Sequence, residues 1–216
     1  MPSVFTDEAG TYDITITTAA DFTVSSGGLP NGDNYVTGDG TIAATYNLEG
    51  DDFDFFDGTA WSVEFWLYYT TASTNYEFIM QNALAPAASF NQVCWGIFFN
   101  ATEQLEFNAG NTGGSIGVSL ASGTLSTSTW YHAVFTKTAS NVYTWYLNNV
   151  LSTTGSGFTG TDVTPTASYR LWFGVGADGA GDLTSTRGTR VSKLAIYNRI
   201  LNAAEINSHY LAMTAA

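Results

Sequence analysis

Hydrophobic and polar positions alternate with a period of two through residues 128–154, STWYHAVFTKTASNVYTWYLNNVLSTT. Trp130, His132, Val134 and Thr136 fall on one side of an extended chain, and Tyr131, Ala133, Phe135 and Lys137 on the other. After a polar break at Thr138–Asn141, Val142, Thr144 and Tyr146 alternate with Tyr143, Trp145 and Leu147. Asn148-Asn149 then forms a two-residue loop between apolar runs, and Asn tolerates the left-handed backbone of a type I′ hairpin turn. The stretch predicts two antiparallel strands and the start of a third.

The same period marks further strands at Thr11–Thr17, Asp21–Ser25, Thr41–Asn47, Trp61–Tyr69, Asn75–Gln81, Gln92–Phe99, Gln104–Asn108, Ser115–Leu120, Tyr169–Val175 and Val191–Tyr197. Turn chemistry separates them at Gly27–Asp33, at Gly50–Gly58 and in the long glycine-rich run Gly176–Gly188. In the Trp61–Tyr69 strand, Trp61, Val63, Phe65 and Leu67 form the better core face; Glu64, Trp66 and Tyr68 share the other. The period changes only near the end of the chain. Asn202 is a good N-cap, Glu205 completes a capping-box pattern, and Ile206, Tyr210 and Met213 recur at helical spacing, which predicts a short helix over about 202–213. Twelve to fourteen short strands with regularly spaced turns predict an all-β fold, a two-sheet antiparallel jelly-roll sandwich with a C-terminal helix, in one domain over 1–216.

Four stretches in order carry a family resemblance. They are GGLPNGDNYV (Gly27–Val36), WSVEFWLYY (Trp61–Tyr69), WYHAV…YLNNVL around Trp130–Leu151, and GTRVSKLAIYNRILNAAEI (Gly188–Ile206). Together they resemble the laminin-G-like, or concanavalin A-like lectin/glucanase, jelly-roll domains. The resemblance implies the sandwich fold and says little of activity, because that fold hosts many.

Composition and charge narrow the partners. Aromatics make up 15% of the 216 residues, which excludes a disordered chain. No apolar run reaches the length of a membrane helix, so membrane insertion is not expected. Residues 1–136 hold fifteen acids and no base, whereas 137–216 hold six bases and four acids. A chain with net charge −13 repels phosphate backbones, so nucleic acid is an unfavourable partner. Cys94 is the single cysteine and reads as a small buried hydrophobe.

Catalytic chemistry finds little support in the sequence. The Glu-x-Asp-x-x-Glu strand that sets two carboxylates about 5 Å apart in retaining glucanases of this fold is not present. His132 reads as a structural strand residue, and no nucleophile–base motif accompanies it or His209. The expectation is a protein that is not an enzyme and requires no cofactor.

Calcium is the cofactor question the resemblance raises. Asp33 and the acidic loop residues Asp51, Asp52 and Asp54 are the candidate ligands. Ser192 and Lys193, however, stand where the family places an Asp-Glu pair, and a lysine there opposes a hard cation. For a glycan, the candidates are Glu64, Trp66 and Tyr68 on one strand face and Arg170 with Trp172 on another, aromatic platforms beside polar groups.

Three functions follow as expectations. The first is a structural protein of a larger assembly with glycan-binding capacity, such as a phage virion decoration, fibre or spike subunit. It would self-associate or dock on its particle, at an extracellular or virion-surface location; MPSVFTDEAG has neither the basic nor the apolar region of a secretory signal. The second is a stand-alone carbohydrate-binding lectin or adhesin module. The third is a glycoside hydrolase.

Overall fold

A computed structural model describes residues 4–5, 14–15, 22–38, 44–49, 59–72, 76–84, 93–161, 163–164, 169–173 and 188–215. Within them the chain forms fifteen strands and a single helix. The strands are β1 (Val4–Phe5), β2 (Ile14–Thr15), β3 (Phe22–Ser25), β4 (Tyr35–Gly38), β5 (Ala44–Glu49), β6 (Trp61–Tyr68), β7 (Glu77–Ala83) and β8 (Val93–Phe99). They continue as β9 (Gln104–Gly110), β10 (Ile116–Thr124), β11 (Tyr131–Lys137), β12 (Val142–Leu147), β13 (Val150–Ser156), β14 (Arg170–Phe173) and β15 (Arg190–Tyr197), and the helix is α1 (Ala203–Thr214).

β1 and β2 pair with each other, and the other strands form two antiparallel sheets. One has the order β10-β9-β8-β7-β14-β5, the other β13-β12-β11-β6-β15-β4-β3. The expected sandwich is therefore present. The meander follows its sequence pattern: β11 pairs with β12 and β12 with β13. Asn148 and Asn149 take φ of 48° and 65°, the left-handed values a type I′ turn requires.

The core lies between the sheets. Trp61, Val63, Phe65 and Leu67 of β6 are fully buried there, with Trp95, Phe99, Phe107, Phe135, Tyr143 and Trp145. Their rings interlock: Trp61 lies 5.5 Å from Trp95 and Phe135, and Phe107 stacks on Phe135 at 4.1 Å. Such pairs add about 0.5–1.5 kcal/mol each beyond the area they bury. The Trp145 Nε1–H donates to the Leu120 carbonyl at 2.9 Å, which satisfies the polar end of a buried indole. Cys94 is buried, as expected.

Part of the seven-stranded sheet is buried on its outer side too, where α1 packs on β6 and β11. The helix starts where the capping box predicts. The Asn202 side chain accepts from the Ala204 and Glu205 amides, and the Glu205 carboxylate accepts from the Asn202 N–H. Ser62 Oγ on β6 donates to the Arg199 carbonyl and accepts from the Leu201 N–H, fixing the approach to the helix. Leu201 and Ile206 pack on Val134, flanked by Tyr146 and Tyr197. Met213 packs with Leu29 and Trp66. No helix among the described residues is long and apolar enough to cross a bilayer.

Candidate functional site

Glu64, Trp66 and Tyr68 share the outer face of β6, as their alternation requires, but α1 divides their fates. Glu64 and Trp66 are only 6% and 3% exposed. They cannot present a stacking platform to a sugar. The period of two places both on a face away from the core, but it carries no information on what a distant helix later covers.

Under the helix, Glu64 gathers a polar cluster. Its Oε1 lies 2.6 Å from His132 Nε2, from the neighbouring strand β11. Both its oxygens lie within 3.0 Å of His209 Nδ1 on α1, and Tyr197 Oη donates to Oε2 at 3.0 Å. Burial pushes the Glu64 carboxyl up, but the hydrogen bonds and charges of His132 and His209 outweigh it and hold the group below the ordinary glutamate value. Burial and the Glu64 carboxylate push the Tyr197 phenol strongly upward, so it remains a donor. Trp66 lies beside this cluster, its ring 5.2 Å from that of His132 and, nearly parallel, 5.9 Å from that of Tyr210, which is itself 6.0 Å from His132. Each oxygen of Glu64 is thus committed to a fold contact between sheet and helix. The cluster joins His132 to His209 and Tyr197, which sequence spacing did not connect to Glu64.

Beyond the C-terminal end of α1 the same sheet face opens. Tyr68, Arg190, Tyr35 and Trp130 are half-buried there. Their placement follows from strand order. Arg190 pairs with Tyr68 across β15 and β6 and with Thr37 across β15 and β4, which sets Tyr35 on the diagonal within reach of a long side chain. The Arg190 guanidinium carbon lies 4.6 Å from the Tyr68 ring centroid and 4.9 Å from that of Tyr35. The Trp130 ring lies 5.4 Å from Tyr68 and 6.0 Å from Tyr35. Gly28 is required against this cluster, because a Cβ there would come within 2.2 Å of the Tyr35 ring. Of the expected glycan face, only Tyr68 belongs to this open patch. Tyr35, Trp130 and Arg190 were not singled out, because they come from three separate segments that only the sheet order brings together.

Arg170 and Trp172 lie on β14 of the other sheet, where they pair with Ala83 and Gln81 of β7; their side chains are outside the described residues. Two strands in different sheets carry the two predicted aromatic platforms, so they do not form one site. Asp51, Asp52 and Asp54 are also outside the described residues. Asp33 is half-exposed and accepts from Asn31 Nδ2 at 2.9 Å, and its Oδ2 lies 3.0 Å from Lys193 Nζ. These bonds, that of Asn31 foremost, hold its carboxyl below the ordinary aspartate value. Lys193 sits at an interruption of the β15 register with φ of 50°, and Ser192 Oγ beside it donates to the Asn34 carbonyl. A cationic side chain therefore occupies the carboxylate that a calcium ion would need, and the residues around Asp33 do not fit that ion.

Comparison of the folded chain with solved structures gives close likenesses of shape at low identity. Trypanosoma rangeli sialidase matches with a TM-score of 0.65 at 17% identity, over 98% of this chain and 31% of the sialidase. The receptor-binding domain of botulinum neurotoxin type G matches with a TM-score of 0.67 at 13% identity, over 98% of this chain and 51% of that one. The binding domain of Paraclostridial Mosquitocidal Protein 1 matches with a TM-score of 0.65 at 13% identity, again over 98% and 51%. The chain thus spans about a third of the sialidase and half of the toxin domains, and at these identities the likeness is one of fold. No curated protein matches the sequence. The profile of the concanavalin A-like lectin/glucanases superfamily matches residues 33–207, from the Asp33 turn into helix α1, and the chain belongs to that family.

Proposed function

We propose that this protein is a non-catalytic carbohydrate-binding module that holds a sugar over Tyr35, Tyr68 and Trp130. One observation carries the reading: three half-buried aromatic rings lie within 6.0 Å of a neighbour on the outer side of the seven-stranded sheet, beside the last turn of α1. Aromatic rings with a polar tip present an apolar face to sugar C–H groups at little conformational cost. The receptor-binding and binding domains among the similar folds support the same reading. A hydrolytic role is disfavoured by Glu64, whose oxygens are already held by His132, His209 and Tyr197.

The test is a panel of immobilised glycans, followed by titration of a hit against the wild type and the Trp130→Ala variant. Binding weakened at least tenfold in the variant supports the site. No binding across the panel, or equal binding by both proteins, overturns it.

A second reading, a subunit of a larger assembly such as a virion-surface protein, is favoured by Val150 and Leu151. They are 67% and 57% exposed at the start of β13, the outermost strand of its sheet. An extracellular or particle-surface location belongs to both readings. Light scattering decides the second: a stable oligomer that Val150→Asp dissociates supports it, and a monomer at high concentration sinks it.

A further inference from the structure

Arg190 differs from the other described cations in what surrounds it. Lys193 holds Asp33 and Arg199 holds Glu205 at 2.9 Å. Lys137 is fully buried and donates to the Thr59 carbonyl at 2.9 Å. Arg190 has two tyrosine rings against it and, among the described residues, neither a carboxylate nor any hydrogen-bond acceptor on its guanidinium.

The two rings do more than shield it. Cation–π contacts of this kind are worth roughly 0.5–2 kcal/mol each and pin the guanidinium plane in place. A pinned, planar fork with its donors uncommitted is suited to a bidentate oxyanion, and little side-chain entropy remains to be lost on binding. The residue is half-buried, so a bound anion would meet it partly out of water, where charge-assisted hydrogen bonds are stronger. The rings of Trp130 and Tyr68 stand beside it at the distances given above and supply the apolar contact for a sugar ring.

We infer that the Tyr35–Tyr68–Trp130 patch selects acidic sugars, with Arg190 pairing the sugar's carboxylate or sulfate. The inference rests on the carbohydrate-binding reading and names its ligand class. The overall negative charge of the protein slows approach of such a ligand, and it does not remove a short-range pair at an uncompensated guanidinium.

The experiment titrates isotope-labelled protein with N-acetylneuraminic acid, glucuronic acid and glucose 6-sulfate, and with glucose and N-acetylglucosamine as neutral probes, following the Trp130 indole and Arg190 Nε–H resonances. The expected result is that at least one acidic sugar binds tenfold or more tighter than the neutral ones, shifts both resonances, and weakens as salt is raised from 20 to 300 mM. Arg190→Lys, which keeps charge and loses the fork, should reduce the acidic-to-neutral ratio several-fold, and Arg190→Gln should bring it near one. Far-ultraviolet circular dichroism and the melting curve confirm that each variant is folded. If Arg190→Gln does not fold, the Lys variant and the wild-type salt dependence still decide the outcome. Neutral and acidic sugars binding equally well would overturn the acid selectivity and leave the carbohydrate site standing. No shift at Trp130 with any sugar would overturn both.

Discussion

Lys193 Nζ lies 3.0 Å from Asp33 Oδ2, so an ammonium group stands against one of the candidate calcium carboxylates. The pair is about half-exposed on both sides, and such pairs contribute about 0.2–1 kcal/mol. The melting temperature is expected to stay within about 1 °C between millimolar calcium and a chelator, since an ion that does not bind the native state cannot stabilise it. Lys193→Ala should cost less than about 1 kcal/mol in urea denaturation. A rise of several degrees with calcium would refute the replacement of the ion by the lysine.

Glu64 joins β6 to β11 and α1 through His132 and His209. Its truncation to Ala leaves the fully buried His132, the part-exposed His209 and the half-buried Tyr197 hydroxyl without their acceptor. The expected loss is about 3 kcal/mol, and Glu64→Gln, which keeps one acceptor, should lose about half as much. Urea denaturation measures both. A loss below 0.5 kcal/mol for the Ala variant, on the same scale of about 3 kcal/mol, would mean that the cluster does not hold the helix to the sheet.

The same group fixes an acid dependence. The folded-state pKa of Glu64 is depressed below its ordinary value of 4.5. Its contribution to stability is therefore full above about pH 4.5 and is lost as pH falls through the lower, folded-state value. The stability difference between wild type and Glu64→Gln should shrink as pH falls below 4.5. A difference that instead grew on acidification would reverse the assigned sign.

Trp66 and Trp130 lie on the same side of the sheet, one under α1 and one beyond it. Trp66→Ala removes a buried ring that packs against both His132 and Tyr210, and is expected to cost about 3–5 kcal/mol in stability. Trp130→Ala should cost about 1–3 kcal/mol, two lost aromatic pairs, while abolishing sugar binding. Thermal melts and glycan titration on both variants separate the roles. Similar melting losses with retained binding would place the ligand elsewhere.

Gly28→Ala sets a methyl group against the open patch, 2.2 Å from the Tyr35 ring and 3.3 Å from that of Trp130. The added Cβ would force Tyr35 to move, and with it one of the two rings that hold Arg190. The acidic-to-neutral selectivity should fall at least threefold, with a melting curve confirming that the variant is folded. Unchanged selectivity would separate Tyr35 from ligand choice.

Much of the architecture was legible in the order of residues. The alternation of β6 and β11, the Asn148-Asn149 turn and the Asn202–Glu205 capping box are decided by neighbours within a few positions, where the backbone period and the hydrogen-bonding reach of a side chain apply directly. The candidate site was legible only in part. Tyr68 was found from its strand face, but its neighbours Trp130, Arg190 and Tyr35 lie 62, 122 and 33 positions away in the chain.

By itself the sequence determined the all-β sandwich, the core face of Trp61, Val63, Phe65 and Leu67, the start of the helix and the lysine that opposes calcium. Each rests on local periodicity or on the charge of a single residue. Only the tertiary structure decided which outer-face groups meet water. The helix covers Glu64 and Trp66, and the order β11-β6-β15-β4 lines up Trp130, Tyr68, Arg190 and Tyr35 at its open end. The physical reason is that a strand's period of two distinguishes its two faces but contains nothing about what packs on either, and that is set by contacts between segments far apart in the chain.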